Sequence, residues 1–147
     1  QKNLERFESL GVKHIVTLSP HCYDTFTNRY PEAAMKGIKV QHYTQFLADL
    51  IDRKKLVFQK RVDKTVAYQD PCYLGRYQKI YDAPRQTLRA VPGGEVVEMG
   101  KDYRERSLCC GGGGARVTLW SMPPSGLVLL KNFIALGSSM ISLVRSQ

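Results

Sequence analysis

The sequence has no C-x-x-C pair anywhere: its four cysteines stand at 22, 72, 109 and 110. The closely spaced pairs of usual structural zinc sites are therefore missing. There is no initiating Met, no apolar signal stretch and no small-residue cleavage site after Gln1-Lys2-Asn3-Leu4-Glu5, so secretion has no support and the chain reads as an internal piece of a longer protein. Acidic residues are scarce, 13 Asp and Glu against 22 Lys and Arg, which leaves a formal net charge of +9. That charge suits an acidic protein, nucleic acid or an anionic membrane, and does not choose among them. No uninterrupted apolar run offers a membrane span either. Ser125 to Val144 has the length, but Lys131 and Asn132 lie near its centre, and a central Lys costs roughly 2.5–3.5 kcal/mol on insertion. Nor is the chain low in apolar residues: 43% hydrophobic and 24% charged exclude wholesale disorder, and 147 residues suit one domain with a buried core.

What is present reads as an α/β pattern. Asn3 is placed to cap a short helix carrying Leu4, Phe7 and Leu10 on one face, and Gly11 ends it in the left-handed conformation. Val12 to Leu18 is a β-branched, mostly apolar strand suited to burial on both faces of a parallel sheet, and Ser19-Pro20-His21-Cys22 breaks it. Ile38 to Tyr43 is a second strand, followed at helical spacing by Phe46, Leu47, Leu50 and Ile51. A basic linker from Arg53 to Lys64 separates this unit from a strand at Thr65 to Tyr68, which stops at Asp70-Pro71. Asp82 is placed to cap the next helix, Pro92-Gly93-Gly94 ends it, and Glu95 to Met99 is a further strand.

His14 to Tyr23 and Lys64 to Tyr73 repeat one order of features: strand, proline, cysteine, tyrosine. In open α/β sheets ligands gather beyond the carboxyl ends of the strands, so both Cys22 and Cys72 fall where a site would be built. Without a secretory context, clustered cysteines read as metal ligands or redox thiols. The adjacent Cys109 and Cys110 do not easily bridge each other, but two thiolates on one loop can hold neighbouring irons. Gly111-Gly112-Gly113-Gly114 comes directly after them, and its unshielded N–H groups suit an anionic iron–thiolate–sulfide centre. The competing readings are cysteines buried as small hydrophobes beside a plain glycine turn, and a basic noncatalytic nucleic-acid-binding module resting on charge alone.

Asp70-Pro71-Cys72-Tyr73-Leu74-Gly75-Arg76, Tyr81-Asp82-Ala83-Pro84-Arg85 and Cys109-Cys110-Gly111-Gly112-Gly113-Gly114 together resemble the cysteine-rich CCG domains of heterodisulfide reductase-like and glycolate oxidase-like iron–sulfur oxidoreductases. The 36 residues from 73 through 108 between Cys72 and Cys109 match that family's spacing. Ser19-Pro20-His21-Cys22 through Tyr30-Pro31-Glu32 resembles the close of a preceding CCG motif, so the resemblance covers about residues 1 to 124.

The resemblance implies a tandem CCG arrangement: a first-motif remnant over 1–52 and a second motif over 53–147, with a tail divergent from about 117. It implies repeated strand–Cys loop–helix units on a mainly parallel sheet. It also implies a noncubane-type 4Fe-4S cluster on Cys72, Cys109 and Cys110, with Cys22 completing the sphere and Gly111 and Gly112 close to the cluster. The activity expected is electron transfer from a flavoprotein or ferredoxin-type donor to a thiol/disulfide or quinone acceptor, in the cytoplasm or peripheral to the inner face of the membrane.

Two departures accompany the match. Ser19 stands where the first cysteine of a C-x-x-C is expected, and the closing C-x-x-C is absent near Val144-Arg145-Ser146-Gln147. Serine hydroxyl is a far poorer ligand for iron than thiolate. The isolated chain is therefore expected to load weakly and to be inactive alone. His21 is read as a structural contact, His14 and His42 as packed or solvated, and Arg76 and Arg85 as candidate counter-ions for cluster charge.

Overall fold

A computed structural model describes residues 2–108, 133–136 and 139–144. Their order is α1 (Lys2–Ser9), β1 (His14–Thr17), α2 (Pro20–Asn28), α3 (Glu32–Met35), β2 (Lys39–His42), α4 (Tyr43–Asp52), β3 (Lys64–Tyr68), a π-helical turn (Tyr73–Tyr77), α5 (Asp82–Arg89), β4 (Gly94–Val97), a 3-10 turn (Arg104–Arg106), β5 (Phe133–Leu136) and β6 (Ser139–Val144). Helices and short parallel strands make this an α/β fold. The strands form two sheets. In the first, β1 pairs parallel with β2; in the second the order is β4-β3-β6-β5.

In each half a strand is followed by a cysteine at or in the next helical segment and then by a parallel strand, with α1 preceding this unit in the first half. His14 faces Lys39 in one sheet and Lys64 faces Gly94 in the other, so the two parallel pairs are laid out alike. The second sheet continues into an antiparallel hairpin, with β6 beside β3 and β5 beside β6. That hairpin carries residues of the apolar stretch 125–144. Among the described residues no helix is long and apolar enough to cross a membrane.

Several local expectations are corrected. Pro20 does not end the chain direction of β1 in a plain break: it occupies the first turn of α2, where its missing N–H costs nothing. Asn3 and Asp82 lie inside their helices rather than capping them; Asn3 instead donates to Tyr30 Oη at 3.1 Å, and Tyr81 occupies the cap position of α5. β1 is not buried on both faces. Thr17 is its one buried residue, while Val16 and the following Leu18 are 41% and 68% exposed, since among the described residues β1 pairs only with β2. Gly11 and Gly93 do adopt positive φ, +60° and +78°, where the turns after α1 and α5 require it.

Packing concentrates where the two halves meet. Helix α4 lies on α5, with Thr87 Oγ1 donating to the Thr44 carbonyl at 3.3 Å. Helix α2 lies on the π-helical turn. His42, at the end of β2, is fully buried beneath Tyr43, whose ring centroid is 4.6 Å away, and its Nδ1 pairs with Thr44 Oγ1 at 2.8 Å.

Candidate metal centre

Cys72 comes after Tyr68 at the carboxyl end of β3 and immediately precedes the π-helical turn, half-buried and with a free thiol. A π turn is a rare element that recurs at functional sites. Here it is fixed from the inside. Leu74 is fully buried, and the Gly75 N–H donates to the Pro71 carbonyl at 2.8 Å. Gly75 itself has no space for a side chain: a Cβ would lie 2.7 Å from Cε1 of the buried Tyr81 and 3.5 Å from the Asp70 Cβ. Gly75→Ala is therefore expected to destabilise the chain by about 1–3 kcal/mol, the range for overpacking a filled site. Denaturant midpoints check this, and an unchanged midpoint would mean that Tyr81 can swing away.

The residues around Cys72 are held by an ion-pair network. Arg85, 1% exposed at its side chain, donates from Nη1 and Nη2 to the two carboxylate oxygens of Asp70 at 2.7 and 2.8 Å. It donates again from Nε and Nη2 to Glu98 at 2.6 and 2.8 Å, and from Nη1 to the Tyr81 carbonyl at 2.8 Å, with its guanidinium 5.3 Å from the Tyr68 ring centroid. Burial alone lowers the Arg85 pKa, but the hydrogen bonds and charges of Asp70 and Glu98 reverse this and hold it above its ordinary value. The same hydrogen bond and charge hold the Glu98 carboxyl below its usual range, against the opposing effect of burial. Arg85 is thus committed to two carboxylates and is not a spare counter-ion for a cluster.

Asp70 reaches further. Its Oδ2 accepts the Arg104 backbone N–H at 2.8 Å, and its carbonyl accepts Ser107 Oγ–H at 2.9 Å. Gln69 Nε2 donates to the Leu108 carbonyl at 2.8 Å and Arg76 Nη2 to the Ser107 carbonyl at 2.5 Å. Four side chains close to Cys72 or on the facing segment therefore stitch residues 104–108 to the Cys72 turn, although the bonded residues lie 31 to 39 positions apart in sequence. Residue 108 is the last before Cys109. Cys109, Cys110, Gly111 and Gly112 lie outside the described residues.

Cys22 lies in the first turn of α2, exposed and free. Its neighbour His21 stacks on Tyr73, the neighbour of Cys72, with ring centroids 3.9 Å apart. The structural reading of His21 agrees with this contact. The two cysteine turns therefore adjoin. Tyr73 continues the stack to Tyr77 at 5.0 Å. Between α2 and the π turn lies a shallow groove lined by Asp24, Asn28, Arg29, Tyr73 and Tyr77. Among the described residues no group of three or more His, Cys, Asp or Glu side chains is disposed to hold a metal ion. Each of the two adjoining turns carries a free thiol, the ligand chemistry that iron–sulfur clusters select and that hard oxygen-seeking cations do not. On that donor set the site fits an iron–sulfur cluster.

The sequence shows Asp70 as a strand stop and as part of the Asp70–Arg76 signature, without its partners, and leaves Glu98, Gln69 and Ser107 unread. An Asp directly before Pro-Cys is a visible signal, since such a side chain can bond local backbone groups.

Residues 66–122 match the family model of the CCG cysteine-rich domain. They are a CCG cysteine-rich domain. The wider chain is similar to proteins named as oxidoreductases or reductases. It is 43% identical over 126 residues to the probable iron-sulfur-binding oxidoreductase FadF of Bacillus subtilis (strain 168), an overlap of 86% of this chain and 17% of that protein. It is 42% identical over 118 residues to the EtfAB:quinone oxidoreductase of Syntrophomonas wolfei subsp. wolfei, covering 80% of this chain and 16% of that protein. It is 38% identical over 114 residues to a dihydromethanophenazine:CoB--CoM heterodisulfide reductase polypeptide of Methanosarcina barkeri, covering 76% of this chain and 28% of that protein. The chain thus spans well under a third of each of these relatives. No solved structure matches it significantly.

Proposed function

We propose that this CCG chain is the ligand-bearing part of an oxidoreductase that passes electrons through a noncubane-type 4Fe-4S cluster. Cys72, Cys109 and Cys110 are the ligands in this reading, Cys22 completes the sphere, and the backbone at Gly111 and Gly112 approaches the cluster closely. The observation that carries it is the stitching of residues 104–108 onto residues 69–76 around Cys72, which ties Leu108, the residue before Cys109, to Gln69. The cluster would supply one-electron chemistry. The chain's own residues supply position: the π turn presents Cys72, the His21–Tyr73 stack sets the Cys22 turn against it, and Leu74 and Tyr81 close the interior behind.

The two halves correspond in this reading to a first-motif remnant over 1–52 and a second motif over 53–147 with a divergent tail from about 117. The electron donor is a flavoprotein or ferredoxin-type protein and the acceptor a thiol/disulfide or quinone, as in the names of the quinone oxidoreductase and heterodisulfide reductase relatives. The protein would work in the cytoplasm or at the inner face of the membrane. With its closing C-x-x-C absent, the isolated chain holds a cluster weakly and is inactive alone.

The test is iron and acid-labile sulfide content of anaerobically reconstituted protein, wild type against Cys72→Ser, Cys109→Ser and Cys110→Ser in the longer parent chain. Each variant should lose most of its iron, because alkoxide replaces a soft ligand. Full retention in all three would overturn the ligand assignment. Lys54, Lys55, Lys60, Arg61 and Lys64 are all exposed in and beside the linker before β3, as a docking face toward an acidic donor requires. Such a face steers encounter and is screened within roughly 8–10 Å at physiological salt. Reversing several of these charges in the intact enzyme should slow reduction by the protein donor and flatten its salt dependence, leaving turnover with a neutral dye unchanged; a rate that keeps its salt dependence removes the linker from docking.

A further inference from the structure

The Asp70 carboxylate contacts one guanidinium and one backbone amide, from two different segments, while its carbonyl accepts a hydroxyl from the second of them. Its side chain is 2% exposed, and so is shielded from water that could substitute for either partner. The segment it holds is in a conformation that needs holding. Arg104 has φ +53°, a left-handed backbone that a residue with a Cβ adopts only when its surroundings over-determine it. Here the Arg104 amide is bound by Asp70 at 2.8 Å, its guanidinium by Asp82 at 2.6 Å, and it lies 5.8 Å from the Tyr81 ring centroid. Resting on the ligand assignment above, we propose that Asp70, backed by Arg85, is a positioning residue that sets the separation of the Cys72 turn from the 104–108 segment before any cluster is bound, and so fixes the geometry of the cluster's thiolates.

The effect is one of pre-organisation. Ligands held at their final separation lose less freedom on binding, so the affinity for the cluster rises without any new contact to it. Arg85 makes Asp70 a rigid anchor: a fork-to-fork pair fixes the carboxylate plane, which in turn fixes the direction in which Oδ2 meets the Arg104 amide. Glu98 does the same for the other side of the guanidinium. Asp70 itself touches no ligand sulfur in this account; it acts through the two segments.

The experiment compares Asp70→Asn with Ala48→Gly, a destabilising change in α4 away from the network, and with Ser107→Ala, which removes the hydroxyl bond to the Asp70 carbonyl and a longer local one to the Leu108 carbonyl while leaving the Asp70 carboxylate in place. In metal-free chain, hydrogen exchange of residues 103–108 should quicken about tenfold in Asp70→Asn and by a smaller factor in Ser107→Ala, with α4 and the β1–β2 sheet unchanged. Alkylation of Cys72 should quicken in the same order. In the reconstituted parent protein, Asp70→Asn should alter the electron paramagnetic resonance signature of the cluster, while Ala48→Gly at equal loss of melting temperature leaves it as in wild type. Exchange that quickens uniformly across the chain, or a cluster signature unchanged in Asp70→Asn, would overturn the positioning role. Ser107→Ala keeps the question open to refutation if Asp70→Asn does not fold: unaltered 103–108 exchange in that variant refutes it. A reconstituted wild-type parent protein that binds no iron, with the local quickening of exchange still seen in Asp70→Asn, would refute the ligand assignment alone.

Discussion

Arg85→Ala lowers the stability of the chain by about 3–5 kcal/mol, the cost of leaving a buried charge without its partner. The charge stranded is Asp70, 2% exposed, with no route to water when the guanidinium is removed. Glu98 suffers less, because at 29% exposed it can turn toward solvent. Against a total stability of about 5–15 kcal/mol, a loss of this size unfolds a large share of the molecules at moderate temperature. The double variant Asp70→Asn with Arg85→Met tests the cause. It removes both charges and keeps an apolar stem in the volume of the arginine, so it should recover a substantial part of the loss. Urea titration of the three chains decides it: a double variant no more stable than Arg85→Ala would mean that packing, and not the stranded carboxylate, sets the cost.

Acidification from pH 6.5 to 4 is expected to cost the chain roughly 3 kcal/mol through His42 alone, taking 1.36 kcal/mol for each unit of its displaced pKa. Burial pushes the imidazole down from 6.5 to about 4, with a hydrogen bond to the Leu18 backbone opposing in part. The folded state therefore resists the proton that the unfolded state accepts. Above pH 6.5 both states hold the neutral ring and the contribution is complete. It is lost as pH falls through the window between 6.5 and 4, and below 4 both states are charged and the loss levels off. His42→Gln should flatten the denaturant midpoint across that window, since amide and imidazole both bond Thr44 but only one titrates. Parallel slopes in the two chains would remove His42 as the cause.

What the sequence makes legible and what it hides divide along a physical line. Periodicity exposes α4, through Phe46, Leu47, Leu50 and Ile51, and β3, through the β-branched run before Asp70, because both signals are local. The cysteine turns are legible as well, since strand, proline and cysteine succeed one another along the chain. Helix α2 is hidden because a proline after a strand reads as a stop as readily as a helix start, and the same local reading misplaces Asn3 and Asp82 as caps. Arg85 is visible but is given the wrong partner. Its role depends on Glu98 and Asp70, 13 and 15 residues away, and on which of the three is buried, which no periodicity records. The junction of residues 104–108 with the Cys72 turn is of the same kind: it rests on backbone carbonyls and amides, which have no letter in the sequence.

The π-helical turn at Tyr73–Tyr77 makes the stretch between Pro71 and Tyr81 a gauge of length. A π turn accommodates one residue more than an α turn, so deleting any one of these five would let the backbone relax into ordinary α-helix with its hydrogen bonds intact. The loss would be angular instead: each residue removed rotates the downstream chain by roughly 100° about the axis relative to Cys72. Tyr81 and Arg85 would then arrive on the wrong side of the thiol, with every side chain still present. Descendants of this chain can thus exchange the exposed residues Arg76 and Tyr77 more readily than Tyr73, Leu74 or Gly75, but have almost no freedom to shorten the turn.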